Sequence, residues 1–294
     1  MFLPLARGLP ALGLALGLMC VELTAQITIA GVTTGAGYLP GITRPGGIST
    51  VFCRGLVIPT GVTNAVGRPL ETQLAGVRVG VNGVFSPLLA VADVGAYQQI
   101  NFIVPNLPDY TRAPITITVS QSGLFAGVKL QQDTPFNGYP ADLFRDELGY
   151  GVILHADGSL VTTTAPAQRG EILVTYATGM GAVEPPVAMG TIAPLQQLSS
   201  LVLYPGEVDG VKIFFCAMGV ACQPASAISS TSLFAGLAPG SAGVYRIQFA
   251  VPASAPLGDV DLGVLRTYCY NAPCTLQSPF QQLFASQRVK IAIR

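Results

Sequence analysis

Charge is what this sequence has least of. Charged residues make up 10% of its 294 positions, against about 25% in an ordinary soluble chain. Fifteen basic residues balance fifteen acidic ones, so no broad basic field exists for a phosphate backbone to meet, and nucleic acid is excluded as a partner on electrostatic grounds. No run of Lys or Arg offers a polybasic membrane anchor. There is no Trp and only one His. The missing Trp removes the usual platform for stacking a sugar, and the lone His155 cannot supply an ordinary zinc site with cysteines at these spacings. Neither a phosphate-binding Gly-x-x-x-x-Gly-Lys-Ser/Thr loop nor a Gly-x-Ser-x-Gly nucleophile elbow occurs. Gly240-Ser241-Ala242-Gly243 comes nearest to the elbow, with the wrong spacing and no helical pattern after it. No cofactor is implied.

What is plentiful is apolar residues, at 50%, with 34 Gly and 23 Pro spread between short apolar runs. That alternation suits a many-turned β protein, where Gly supplies positive φ and Pro presets a turn. A disordered chain would lack so much Val, Ile, Leu and Phe. Val77–Val81 alternates with period two, and Asn82-Gly83 is a strong hairpin signal, with Val84 and Phe85 returning. Val152–Ala156 meets Asp157-Gly158, and Leu160–Thr162 returns. Val211–Phe215 reads as a strand. No long amphipathic helix is evident, so the expectation is an all-β sandwich.

The chain also repeats itself loosely. Gly46–Leu56 and Arg169–Met180 are both Gly-led strands ending in Gly and a large apolar residue. Tyr97–Pro105 and Tyr245–Pro252 are both alternating strands stopped by proline, followed by further strands at Ile115–Val119 and Asp259–Val264. Two tandem copies of one module are the simplest account. Together with the first residues, this divides the chain into 1–25, 26–132, 133–149 and 150–294: a signal peptide, a first sandwich, a linker and a second sandwich.

Met1–Ala25 has the pattern of a secretory signal. Arg7 gives the positive start, Leu9–Met19 the apolar stretch, and Ala25 a small residue before a cut ahead of Gln26. An uncleaved anchor is the rival, but Pro10 and repeated Gly are unfriendly to a helix and the apolar run is shorter than the ~20 residues of a span. A lipid anchor on Cys20 would want a small residue where Met19 stands. The expectation is a mature chain without a transmembrane span, secreted, periplasmic or on the cell surface. Export permits disulfides. Five cysteines then remain, leaving one thiol free. Cys216 with Cys222, and Cys269 with Cys274, each bracket a short loop and are expected to pair locally; a cross-link between the two loops is the alternative. Loops this short stabilise by less than the ~3 kcal/mol of a 15-residue loop. Cys53, in an apolar strand, reads as a buried core thiol.

Three segments fit no strand: Asp133–Gly149, Glu184–Asp209 and Thr267–Phe284. Their aromatics, Phe136, Tyr139, Phe144, Tyr268, Tyr270 and Phe280, are candidate interaction residues, because binding often falls to loops on a rigid scaffold; pinning those loops to the sandwich is their plainer role. His155, before an Asp-Gly turn, has no partner suggested by local sequence. Asp142, Asp146 and Glu147 read as a solvated acidic turn without EF-hand spacing, so no metal site is expected. Asp259 and Asp261 lie on a strand.

Several of these stretches resemble one family. Phe234–Gly240, Gly243-Val244-Tyr245, Val251-Pro252, Ala156–Ser159, Tyr176–Gly181 and Gln99–Pro105 are similar to the Solibacter-type carboxy-terminal domain family of exported Acidobacteria-type proteins. The resemblance spans about Thr34 to Val264 and departs from the pattern in the two cysteine loops and the tail. It implies an immunoglobulin-like or IPT-like β-sandwich fold and carries no catalytic residues with it. The resulting expectation is a non-enzymatic binding or structural module that meets a protein or polysaccharide of the cell envelope. The alternative is a secreted hydrolase with a site assembled from dispersed loop carboxylates.

Overall fold

The computed structural model describes residues 26–107, 114–130, 141–202, 207–220, 222–224, 227–269 and 281–294, with backbone alone at 207–209, 267–269 and 281–285. Among these residues every regular element is a strand apart from a single 3-10 position at Pro224. No helix among them is long and apolar enough to cross a membrane. The readings made for Met1–Ala25, Phe136, Tyr139, Tyr270, Cys274 and Phe280 lie outside the described residues. So do the side chains of Tyr268 and Cys269, whose backbone is in a strand.

In the N-terminal half the strands are β1 (Thr28–Thr34), β2 (Ile48–Arg54), β3 (Gly61–Asn64), β4 (Val77–Val81), β5 (Val84–Phe85), β6 (Leu88–Asp93), β7 (Gln98–Ile103), β8 (Ile115–Gln121) and β9 (Leu124–Leu130). They form one sheet in the order β1-β2-β7-β6-β3 and another in the order β5-β4-β8-β9. All recorded pairings within them are antiparallel. Alternation drives the stacking. Val77, Val79 and Val81 point inward from one sheet, and Val51, Cys53, Ile100 and Phe102 from the other, into a single apolar cluster. The hairpin expected at Asn82-Gly83 is present, with both residues at positive φ, 46° and 81°, as a type I′ turn requires.

The C-terminal half contains β10 (Asp142–Leu143), β11 (Ile153–Leu154), β12 (Ile172–Thr178), β13 (Val183–Glu184), β14 (Ser200–Leu201), β15 (Glu207–Ala217), β16 (Ile228–Thr231), β17 (Phe234–Leu237), β18 (Val244–Ala250), β19 (Gly258–Cys269), β20 (Gln281–Ala285) and β21 (Val289–Ile293). One sheet runs β10-β12-β18-β17-β14-β13, with β11 also on β12. The other runs β16-β15-β19-β20, with β21 continuing along β19. Their inner faces meet in a second cluster that includes Leu173, Ile247 and Phe249 from one sheet and Ile213, Leu262 and Ile291 from the other.

Lettered in immunoglobulin fashion, β1-β2-β7-β6 takes the order A-B-E-D, and β5-β4-β8-β9 takes C′-C-F-G. The second half repeats this. There β12-β18-β17 is B-E-D, and β16-β15-β19 is C′-C-F. In both halves the connection between B and C adds a strand beside D: β3 on β6, and β14 on β17. The sequence repeats fall on equivalent strands, since β2 matches β12, β7 matches β18 and β8 matches β19. The all-β, immunoglobulin-like sandwich is thus the observed fold class.

Some segments differ from the sequence reading. Residues 142–143, within the segment read as a linker, form a strand on β12. The long connection after Glu184 contains β14, and the tail supplies β20. The Asp157-Gly158 hairpin closes, but its first arm is only two residues long and also pairs with β12.

Cys216 and Cys222 form the expected local disulfide, with Cα atoms 5.9 Å apart, inside the usual bridging range. Cys53 is free and wholly buried in the first core. Burial pushes its thiol up to about 11, so almost no thiolate, the reactive form, is present near neutrality. Iodoacetamide at pH 8 should therefore leave the Cys53 peptide unmodified in the native protein and label it after denaturation, as read by peptide mass mapping. Native labelling at a rate near that of an exposed thiol would contradict this burial.

Candidate functional site

The two halves meet through polar contacts, several of them buried. Asp142 is 4% exposed, and its Oδ2 accepts from the backbone N–H groups of Ala36 and Gly37, each at 2.8 Å. β10 brings this carboxylate to the junction. The acidic turn expected here is therefore not solvated at Asp142. Arg145 donates from Nη2 to Gly37 O at 2.8 Å. Thr178, at the end of β12, accepts from Ile48 N at 2.7 Å and donates to Gly243 O at 2.6 Å. Leu70 N donates to Gly190 O at 2.9 Å.

Close backbone approach explains two glycines. A Cβ on Gly47 would lie 2.7 Å from Gly179 Cα and 2.6 Å from Thr43 Oγ1, so any side chain there would push the halves apart. A small apolar cluster fills the remaining space, joining Ile48, Leu70 and Ile103 of the first half to Ala242, Phe144 and Met189 of the second. Phe144, a candidate interaction residue, is thus a half-buried packing residue and not an open contact.

Beside these contacts lies a groove of about 410 Å³. One wall carries Arg44, Pro45 and Ile103; the other carries Val183, Pro186–Thr191, Leu237 and Tyr245. The Tyr245 hydroxyl donates to Gly181 O and so fixes the floor. Its size falls in the range of small-ligand and peptide sites, which favour boundaries of this kind. The lining is largely aliphatic, with Asn106, Thr191 and Tyr245 as neutral polar side chains, a single cation, Arg44, and no carboxylate side chain. Such a surface can hold a ligand by shape and apolar contact.

Carboxylates elsewhere are engaged in holding the chain. Asp146 Oδ1 accepts from Leu148 N and Tyr150 N. Asp259 accepts from the Tyr150 hydroxyl at 2.9 Å. Asp261 lies 3.6 Å from Arg288. Arg288 also donates to Cys222 O at 2.7 Å, tying the disulfide loop to the chain ahead of β21. Met218 and Val220 stay exposed at the tip of that loop. Among the described residues no three His, Cys, Asp or Glu gather as a metal-binding group.

His155 has a partner that local sequence did not reveal. Its Nδ1 lies 2.5 Å from Glu171 Oε1, and its Nε2 lies 3.1 Å from Ala165 O. The other Glu171 oxygen accepts from Gln168 N at 2.8 Å. Both ring nitrogens face acceptors, so only the imidazolium can donate to both. The Glu171 hydrogen bond, with a smaller contribution from Ala165, raises the histidine pKa above its ordinary value. A depression of about 430 Å³ opens alongside, lined by His155, Arg169, Glu171 and Arg294 among others. A histidine held at both nitrogens is a tie between the 153–161 hairpin and the start of β12, and is poorly placed to act as a general base. Glu171 stands one residue before β12, which is the only sequence feature that could have linked the two.

No protein-family model matches this chain, and no curated protein matches it. Among solved structures it is similar to a three-immunoglobulin-domain structure of titin in an E-to-A variant. Sequence identity there is 8%, with TM-score 0.20, covering 91% of this chain and 65% of that one. It is also similar to an endo-fucoidan hydrolase of glycoside hydrolase family 107, at 9% identity and TM-score 0.15, covering 80% of this chain and 29% of that one. The chain thus spans less than two thirds of the length of either. The fold assignment rests on the strand order itself.

Two outcomes follow. Asp142→Ala leaves the Ala36 and Gly37 N–H groups without an acceptor, so it should lower stability by about 1–3 kcal/mol and speed proteolysis between the halves; an unchanged urea midpoint would remove Asp142 from its role. For His155, a folded-state pKa above the unfolded value of about 6.5 means the tie is fully present below that value and is lost as pH rises through the folded pKa. His155→Gln should therefore flatten the pH dependence of Tm between about pH 5 and 8, with the largest loss on the acid side. A loss confined to the alkaline side would reverse the assignment.

Proposed function

We propose that this protein is an exported, non-enzymatic binding module of the bacterial envelope, made of two immunoglobulin-like sandwiches that present one rigid groove at their junction. The observation that carries this reading is the junction itself. Buried hydrogen bonds at Asp142 and Thr178, with a partly buried one from Arg145, join the halves, and the groove of about 410 Å³ is formed by both. Rigid walls reduce the ordering cost of binding. The lining favours a partially apolar partner, such as a protein or polysaccharide segment of the envelope, over a highly charged one.

Export is supported by the signal pattern of Met1–Ala25 and by the Cys216–Cys222 disulfide, which persists in oxidising compartments. The likeness of many segments to the Solibacter-type carboxy-terminal domain family fits the same reading. The dispersed-carboxylate hydrolase finds less support, because Asp142, Asp146, Asp259 and Glu171 are each held in structural hydrogen bonds.

Ala188 is exposed on the groove wall, so Ala188→Trp should fill the groove without disturbing either core. Immobilised wild-type protein should retain a defined component of native envelope extract that the variant fails to retain. Equal retention by both would refute the groove as the binding surface. Turnover in a broad hydrolase screen, abolished by substituting Glu171 or Asp259, would refute the non-enzymatic reading instead.

A further inference from the structure

The two halves differ at one edge. In the C-terminal half, the strand added beside D does not end the sheet: β14 is covered by β13, which pairs Val183 with Leu201 and Glu184 with Ser200. Both come from the connection between B and C, residues 179–206. The corresponding connection of the N-terminal half, residues 55–76, is shorter and supplies only β3. β3 pairs with β6 and, among the described residues, is the last strand of its sheet.

We propose that the open edge of β3 is a docking site for an extended aliphatic peptide segment of a partner, which adds as an antiparallel strand in the place that β13 fills in the other half. This site is separate from the junction groove and stands independently of it. Hydrogen-bond alternation fixes which groups are offered. Ala65 N donates to Leu89 O at 2.9 Å, so Ala65 faces β6, as do Thr63 and Gly61 in turn. Val62 and Asn64 then direct their N–H and C=O groups away from the sheet.

The side chains at this edge agree with such a partner. Sheet edges are usually blunted by charge or proline, yet Gly61–Asn64 carries neither. Instead Val57, Val62 and Val66 are 80%, 63% and 85% exposed. Val62 opposes Ala92 on the face away from the core, while the next pair places Val91 inside it. An incoming strand would cover valine with valine or isoleucine at alternate positions. A second copy of this chain fits less well. Four residues at ~3.4 Å each extend about 14 Å, and stable protein pairs bury about 1,200 Å² or more. A short edge suits strand addition, where backbone hydrogen bonds supply most of the attraction.

The test uses the full protein with an end-blocked peptide of alternating threonine and valine, read by residue-level amide exchange. Saturating peptide should slow exchange at Val62 and Asn64 about tenfold and leave the edges at β9 and β13 unchanged. Val62→Pro removes an outward N–H and no bond to β6, so it should abolish the protection with Tm unchanged. Val62→Thr keeps the N–H and should retain the protection. No slowing at Val62 and Asn64, stronger slowing at another edge, or full protection in Val62→Pro would overturn the proposal. A peptide-free dimer in which these two amides are already protected would overturn it in favour of self-pairing.

Discussion

Asp142 sits where the two halves touch, removed from solvent, with one carboxylate oxygen shared between two backbone N–H groups of the opposite half. Taking a carboxylate out of water costs several kcal/mol unless donors replace the lost hydration. Here the donors lie in the turn after β1, so the carboxylate is satisfied on that side only when the first half is seated in one position. Thr178 applies the same kind of constraint, because its hydroxyl accepts from Ile48 N across the boundary while it donates to Gly243 O within its own half. The contact of Gly47 with Gly179 then fixes how near the backbones come. Relative motion of domains is the default expectation for polar boundaries of modest size. This boundary departs from it at Asp142 and Thr178, whose polar groups are buried and directional.

Much of the fold was readable from local pattern. Val77–Val81 and Asn82-Gly83 specify a strand and a type I′ turn within a few residues, and the structure has both. The repeated Gly-led and Pro-stopped segments fall on equivalent strands because equivalent places in a sandwich demand the same alternation and the same stops. The short strands were invisible for the converse reason: β10, β13 and β14 have two residues each, too few to show any period. The junction was harder still. The partners of Asp142 lie more than a hundred residues away in sequence, so nothing beside it distinguishes a buried clasp from a solvated acidic turn. His155 and Glu171 illustrate the same limit over a shorter distance.

The proposed binding surfaces and the acidic groups are segregated. The groove is lined mainly by aliphatic residues and proline, with Arg44, Asn106, Thr191 and Tyr245 among them, and the edge of β3 carries exposed valine. The carboxylates are spent on turns, on the junction and on cation partners. A chain so poor in charge has few ionisable groups to place, and most of those considered stabilise backbone geometry. Recognition is thereby left to shape, main-chain hydrogen bonds and apolar contact, which depend little on ionic strength.

The buried thiol of Cys53 has a consequence for how such a chain survives an oxidising compartment. A free cysteine is a hazard there, since any accessible thiolate can attack an existing disulfide and exchange partners. Cys53 is on β2, an interior strand of its sheet, and the Cys216–Cys222 bridge is in the other half. Once the first sandwich closes, the unpaired sulfur is sealed behind its neighbours and cannot take part in exchange. Synthesis begins at the N-terminus, so the core of the first half can form before the cysteines of the second half are made. Placing the unpaired cysteine in the part of the chain that emerges earliest turns synthesis order into protection against mispairing.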